Sequence, residues 1–102
     1  MNILLICSAG MSTNMLMKKM KEAAASKRLQ VNIWAVGEAL VEDNIPKADI
    51  VLLGPQVRYL LHRVEELAQG IPVMEIDMVS YGNLNGAKVL HDAIQRLRWE
   101  RN

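Results

Sequence analysis

Ile3-Leu4-Leu5-Ile6-Cys7-Ser8-Ala9-Gly10-Met11-Ser12-Thr13 decides the fold. Four consecutive apolar residues are too short for a buried helix and too continuous for a strand with one wet face. They suit a strand covered on both faces. The small and polar residues after Cys7 form a tight loop, and a helical pattern begins directly beyond it. Leu16, Met20, Ala23 and Ala24 share one face, with Lys18, Lys19, Lys21 and Glu22 largely outside it. A strand, a small-residue loop and a helix open a β-α-β unit.

The rest of the chain repeats this alternation. Gln30 to Val36 alternates, placing Val31, Ile33 and Ala35 on one side and Asn32 and Trp34 on the other, as in a half-exposed strand. Residues 37 to 47 hold a short helix or loop closed by Ile45-Pro46. Ile50-Val51-Leu52-Leu53 is a second continuous apolar run, ended by Gly54-Pro55. Val57, Leu60, Leu61, Val64 and Leu67 follow at helical spacing until Gly70 stops them. Val73 to Asp77 alternates again, Tyr81-Gly82-Asn83 reads as turn material, and Val89, Leu90, Ala93, Ile94 and Leu97 mark a last helix.

The order β-α-β-α-β-α-β-α calls for a parallel sheet with right-handed crossovers. The continuous runs belong at its centre and the alternating ones at its edges, which favours strand order 2-1-3-4. The predicted fold is one α/β domain, a four-stranded parallel sheet flanked by helices on both faces. Winding reverses between strands 1 and 3. Ligands of such sheets bind at that switch point, outside the carboxyl ends of the strands. Cys7 ends strand 1, so topology alone points to it.

Composition narrows the class. Of 102 residues, 51% are hydrophobic and 23% charged, an ordinary globular balance. The net charge is +1 with both signs interleaved, so nucleic acid is not the expected partner. No apolar run approaches the roughly 20 residues that cross a bilayer, and direct membrane insertion is not expected. The start lacks the features of a signal peptide. A single cysteine forms no internal disulfide. The expectation is a cytoplasmic, reducing location. Of the seven methionines, most should fill the core, while Met11 and Met78 in loops would offer an adaptable contact surface.

The loop after Cys7 has the chemistry of a phosphate cradle. Backbone N–H groups from Ser8, Ala9, Gly10, Met11, Ser12 and Thr13 can surround an anion. Gly10 allows positive φ. Ser8, Ser12 and Thr13 add hydroxyls, and Ser12 or Thr13 can cap the helix. The helix N-terminus contributes about half a positive charge, favouring negative charge on the sulfur and on a phosphoryl group carried there. The plain alternative is an inert buried cysteine at a strand end.

This loop, together with Ala48-Asp49-Ile50-Val51-Leu52-Leu53-Gly54-Pro55-Gln56 and with Ile76-Asp77 followed by Tyr81-Gly82, resembles the enzyme IIB components of the sugar phosphotransferase system, in the lactose/cellobiose (chitobiose) family. The likeness spans essentially the whole chain and implies that residues 1–102 form one IIB domain with a phosphatase-like phosphate loop. It implies that Cys7 accepts a phosphoryl group from a phosphohistidine of the IIA protein. Cys7 would then pass the group to a disaccharide of cellobiose, chitobiose or lactose type at the membrane permease IIC. Neither cofactor nor metal is implied.

Two rivals remain. A low-molecular-weight tyrosine phosphatase also places a cysteine in a loop after its first parallel strand, but needs Arg six residues later for the transferring phosphoryl group. Here that position is Thr13. Asp77 would be its general acid, or simply a turn or cap residue. The other rival is a non-catalytic scaffold of the same fold. Arg58 either reaches the phosphate or is solvated at the surface. Tyr81 either rims the site or packs on its turn. His62 and His91 read as surface residues without metal-ligand spacing.

Overall fold

A computed structural model describes residues 1–8 and 11–101, without the side chains of Met11, Glu100 and Arg101. Its strands are β1 (Asn2–Ile6), β2 (Asn32–Val36), β3 (Ile50–Leu53) and β4 (Val73–Glu75). They form one parallel four-stranded sheet in the order β2-β1-β3-β4. The helices are α1 (Met11–Ser26), α2 (Val41–Asn44), α3 (Leu61–Ala68), α4 (Met78–Gly82) and α5 (Gly86–Arg101).

The continuous runs are central because both of their faces are covered. Ile3, Leu5, Ile50 and Leu52 face one core with Leu16, Met20 and Ala24 of α1 and Val89, Leu90, Ala93 and Leu97 of α5. Leu4, Ile6, Val51 and Leu53 face the other, with Val41 of α2, Ile45, and Val64 and Ala68 of α3. Period-two alternation thus divides each run between two helical layers. Each fully buried Leu or Ile in them contributes roughly 1.5–3 kcal/mol by leaving water.

Helix α5 packs closely on α1 where residue 86 is glycine. A β-carbon there would come within 2.5 Å of the Lys19 carbonyl carbon and 2.6 Å of Lys19 Cβ. Glycine therefore sets the depth at which the last helix enters the first core.

Three local expectations need correction. Residues 55–60 form a tighter 3₁₀ segment, with Val57 outside helical geometry (φ −120°, ψ 20°), so α3 begins only at Leu61. Val57 and Leu60 are nevertheless buried beside Val64: burial at helical spacing mimicked a continuous helix. Tyr81-Gly82 is not a turn but the end of α4, held by the cap described below. Trp34 is not a solvent-facing residue of an edge strand; it is half-buried on the second core, and its Nε1 donates to Asn44 Oδ1 at 3.0 Å. The stop before Gly70 is real. Gln69 takes the left-handed conformation (φ 47°) and Gly70 follows at φ 102°.

Candidate phosphoryl site

The register of the sheet builds the site. Ile6 pairs with Val36 on one side and with Leu53 on the other, so the next residues of the three strands are Cys7, Gly37 and Gly54. Cys7 N–H donates to Val36 O at 3.1 Å, and Gly54 N–H donates to Ile6 O at 2.9 Å. Cys7 is buried at 6% exposure. Both neighbours lack side chains. A β-carbon on Gly54 would stand 3.7 Å from Cys7 Cβ, 3.4 Å from Ile6 O and 3.3 Å from Gln56 Oε1; one on Gly37 would stand 3.9 Å from Cys7 O. Gly54 has an ordinary φ of −63°, so its value is space beside the thiol and not conformational freedom.

Helix α1 starts at Met11, and its first turn holds no acidic residue. Its first N–H groups have no partners within the helix and share the carboxyl end of the sheet with Cys7. No carboxylate of that turn competes with an anion for them. Ser8 and Ser12 are exposed. Ser12 and Thr13 stand inside the first turn. Thr13 is buried at 3% exposure. It heads the stripe continued by Leu16, Met20 and Ala24, and its Oγ1 lies 2.9 Å from Tyr81 Oη. Ala9 and Gly10, and the side chain of Met11, lie outside the described residues.

The remaining candidates separate. Asp77 caps α4: its Oδ2 accepts from Ser80 Oγ at 2.9 Å and from Ser80 N at 3.1 Å. These bonds, the hydroxyl's foremost, hold its carboxyl below the usual carboxylate range. A carboxylate so held is a poor proton donor, which sets Asp77 in the cap role. Arg58 is exposed in a polar recess with Glu75, Asp77, Met78 and Asp92; the described lining of that recess does not include Cys7. Lys18 and Lys19 are exposed on α1, and His62 and His91 are exposed on their helices. Met78 is 61% exposed at the start of α4.

Sequence reasoning missed Gly37 and Gly54 as neighbours of the thiol. Gly54 was legible only as a strand terminator, because its second role depends on register. The Thr13–Tyr81 pair spans 68 positions and left no local signal.

The sequence model of the family described as "PTS system, Lactose/Cellobiose specific IIB subunit" matches residues 2–92. The chain belongs to this IIB family. The IIB chain is 44% identical over 94 residues to the oligo-beta-mannoside-specific EIIB component of Bacillus subtilis (strain 168), covering 90% of this chain and 91% of that protein. It is 40% identical over 95 residues to the galactose-specific EIIB component of Lactococcus lactis subsp. cremoris (strain MG1363), covering 86% and 88%. The solution structure of the cellobiose-specific phosphotransferase IIB component from Borrelia burgdorferi superposes with a TM-score of 0.83 at 41% identity, over 98% of this chain and 94% of that one. This IIB component is thus a sugar phosphotransferase component of lactose/cellobiose type. Among the described residues, no helix is long and apolar enough to cross a membrane.

Proposed function

We propose that the whole chain, residues 1–102, acts as a cytoplasmic phosphocarrier with Cys7 as nucleophile and carrier. In the first step Cys7 Sγ, as thiolate, attacks the phosphorus of a phosphohistidine on the IIA protein. The P–N bond breaks with its electron pair going to the imidazole nitrogen, and an S–P bond forms. In the second step a hydroxyl oxygen of a disaccharide of cellobiose, chitobiose or lactose type, held by the membrane permease IIC, attacks the same phosphorus. The S–P bond breaks, its electron pair returns to Sγ, and the hydroxyl proton passes to a base on the permease or to water. Sulfur suits both steps, being a good nucleophile and an acceptable leaving group. Backbone N–H groups of Ser8 to Thr13 cradle the phosphoryl oxygens between the two steps.

The observation that carries this reading is the placement of Cys7. It follows β1, one of the two central strands, at the switch point of the sheet, between two glycines and four residues before α1, whose first turn is free of acidic residues. The surroundings fit docking of a larger donor and acceptor. Leu40, Tyr59, Met78 and Val79 are all exposed beyond the carboxyl ends of β2, β3 and β4. The sugar is read as a class only, since the relatives' own names carry different sugars.

Intact-mass measurement after mixing with phosphorylated IIA tests the reading. The expected result is one added phosphoryl group on Cys7, discharged by dephospho-IIA or by permease with sugar. A chain that takes no phosphoryl group on Cys7 overturns it. Aryl-phosphate hydrolysis separates carrier from phosphatase. With Thr13 where a phosphatase needs arginine, and Asp77 engaged as a cap, hydrolysis should be negligible. Loss of one preorganised donor costs about 100- to 1,000-fold. Steady turnover near ten per second, the range of ordinary enzymes, would give the role to the phosphatase.

A further inference from the structure

We propose that Tyr81 is a positioning residue for phosphoryl relay, aiming the Thr13 hydroxyl proton at the phosphoryl group on Cys7. The inference rests on the phosphocysteine reading above. It starts from a polar residue in an apolar place. Thr13 heads the buried face of α1, above Leu16 and Met20, both at 0% exposure. A hydroxyl carries one proton and two acceptor lone pairs. Thr13 Oγ1 meets Tyr81 Oη at 2.9 Å, so one of the two protons lies between the oxygens.

The chemistry of the two groups decides which. A phenol is the stronger donor, because its ring stabilises negative charge on oxygen. It is the weaker acceptor, because the ring draws on its lone pairs. Tyr81 therefore donates and Thr13 accepts. The Thr13 proton then points away from Tyr81, and Thr13 stands in the first turn of α1, six residues after Cys7. A phosphoryl oxygen on Cys7 supplies its acceptor, and a charge-assisted bond results.

Tyr81 is itself held in place. Its ring is half-buried against the core shared by α1 and α5. Its N–H donates to Asp77 O at 2.9 Å, and α4 is capped by the Asp77 side chain. The end of β4 thus reaches the first turn of α1 through Asp77, Tyr81 and Thr13. A purely structural bond would also satisfy a buried hydroxyl, so the test must separate the two roles.

The experiment phosphorylates the full chain with phosphorylated IIA. It compares wild type with Tyr81→Phe, Thr13→Val, Thr13→Ser and the double variant Tyr81→Phe/Thr13→Val. The readouts are transfer rate, the ³¹P chemical shift of the phosphocysteine, and thermal stability. Phe keeps the ring and its packing, so Tyr81→Phe should fold. Expected are a roughly 10-fold slower transfer, below the 100-fold or more typical of a direct donor, and a displaced ³¹P resonance. Thr13→Val should lose at least as much, and Thr13→Ser should recover most of that loss. The double variant should regain stability, since replacing both partners by apolar groups is nearly neutral, yet remain as slow as Thr13→Val. Wild-type rate and ³¹P shift in Tyr81→Phe overturn the proposal, as does a double variant that recovers both stability and transfer. Failure of wild type to take a phosphoryl group on Cys7 is a different result, and overturns the underlying reading together with this one.

Discussion

The two ends of β1 are built in opposite ways. At the amino end, Asn2 is fastened on every side. Its N–H donates to Asp49 Oδ2 at 2.7 Å, its Nδ2 donates to Lys47 O at 3.1 Å, and its Oδ1 accepts from Asn32 Nδ2 at 2.9 Å. Asp49 N–H returns a bond to Asn2 O at 2.8 Å. Polar side chains there tie β1 to the amino ends of β2 and β3. At the carboxyl end the same three strands continue into Cys7, Gly37 and Gly54, and side chains are withheld. One end of the sheet spends its residues on closure, the other on access. Parallel strands make this possible: all the carboxyl ends, with the helix N-termini that follow them, lie on one edge.

Substitutions at the two ends should therefore disturb different things. Cys7→Ser is the largest case. It should fold normally, because the swap is nearly isosteric, and lose transfer by at least about 1,000-fold, as expected when a nucleophile is removed. Sugar phosphorylation with IIA and permease measures this. Wild-type rate in this variant would favour the scaffold and erase the functional half of the comparison.

Gly54→Val comes next. Its added carbons must enter space bounded by Ile6 O, Gln56 Oε1 and Cys7 Cβ. Overpacking of this kind costs about 1–3 kcal/mol, and displacement of the thiol by a fraction of an ångström to one ångström can cost up to about 100-fold in rate. Denaturant unfolding and phosphoryl transfer should both respond. If stability falls with no change in rate, the open edge beside Cys7 serves packing alone.

Asp49→Ala, at the closed end, should show the reverse. It removes one acceptor from the Asn2 N–H, a loss of about 1 kcal/mol, and should leave transfer untouched. A matching loss of transfer would show that the two ends are coupled through β1.

Asp77→Ala should give the smallest change, read as pH dependence. Its carboxyl is held below the usual range by the Ser80 hydroxyl and N–H. A depressed folded value means that the stabilisation is present above the unfolded carboxylate range and disappears as pH falls through the folded value. Thermal midpoints of wild type and variant should differ near neutrality and converge below the ordinary carboxylate range. Parallel curves across that range would remove the cap from the account.

Most of the framework was legible along the chain. Ile3 to Ile6 and Ile50 to Leu53 announced central strands because only strands covered on both faces bury every residue of such a run. Their centrality, the alternating edges and the short connections led to the order found. Cys7 followed from that order. Val57 and Tyr81 were misread for one reason: apolar spacing and turn-prone residues report burial and local preference, not the hydrogen bonds that make a segment 3₁₀ or helical. The Asp77 cap on Ser80, three residues away, was the available signal for α4.

The sequence alone determined which strands are inner and where the thiol stands, because these depend on side-chain periodicity and near neighbours. Tertiary structure decided what stands beside the thiol. Gly37 and Gly54 become its neighbours only through parallel register, and Tyr81 meets Thr13 only because α4 lies at the edge of the sheet where α1 starts. Contacts across tens of residues are set by how two cores pack, and no local pattern carries them.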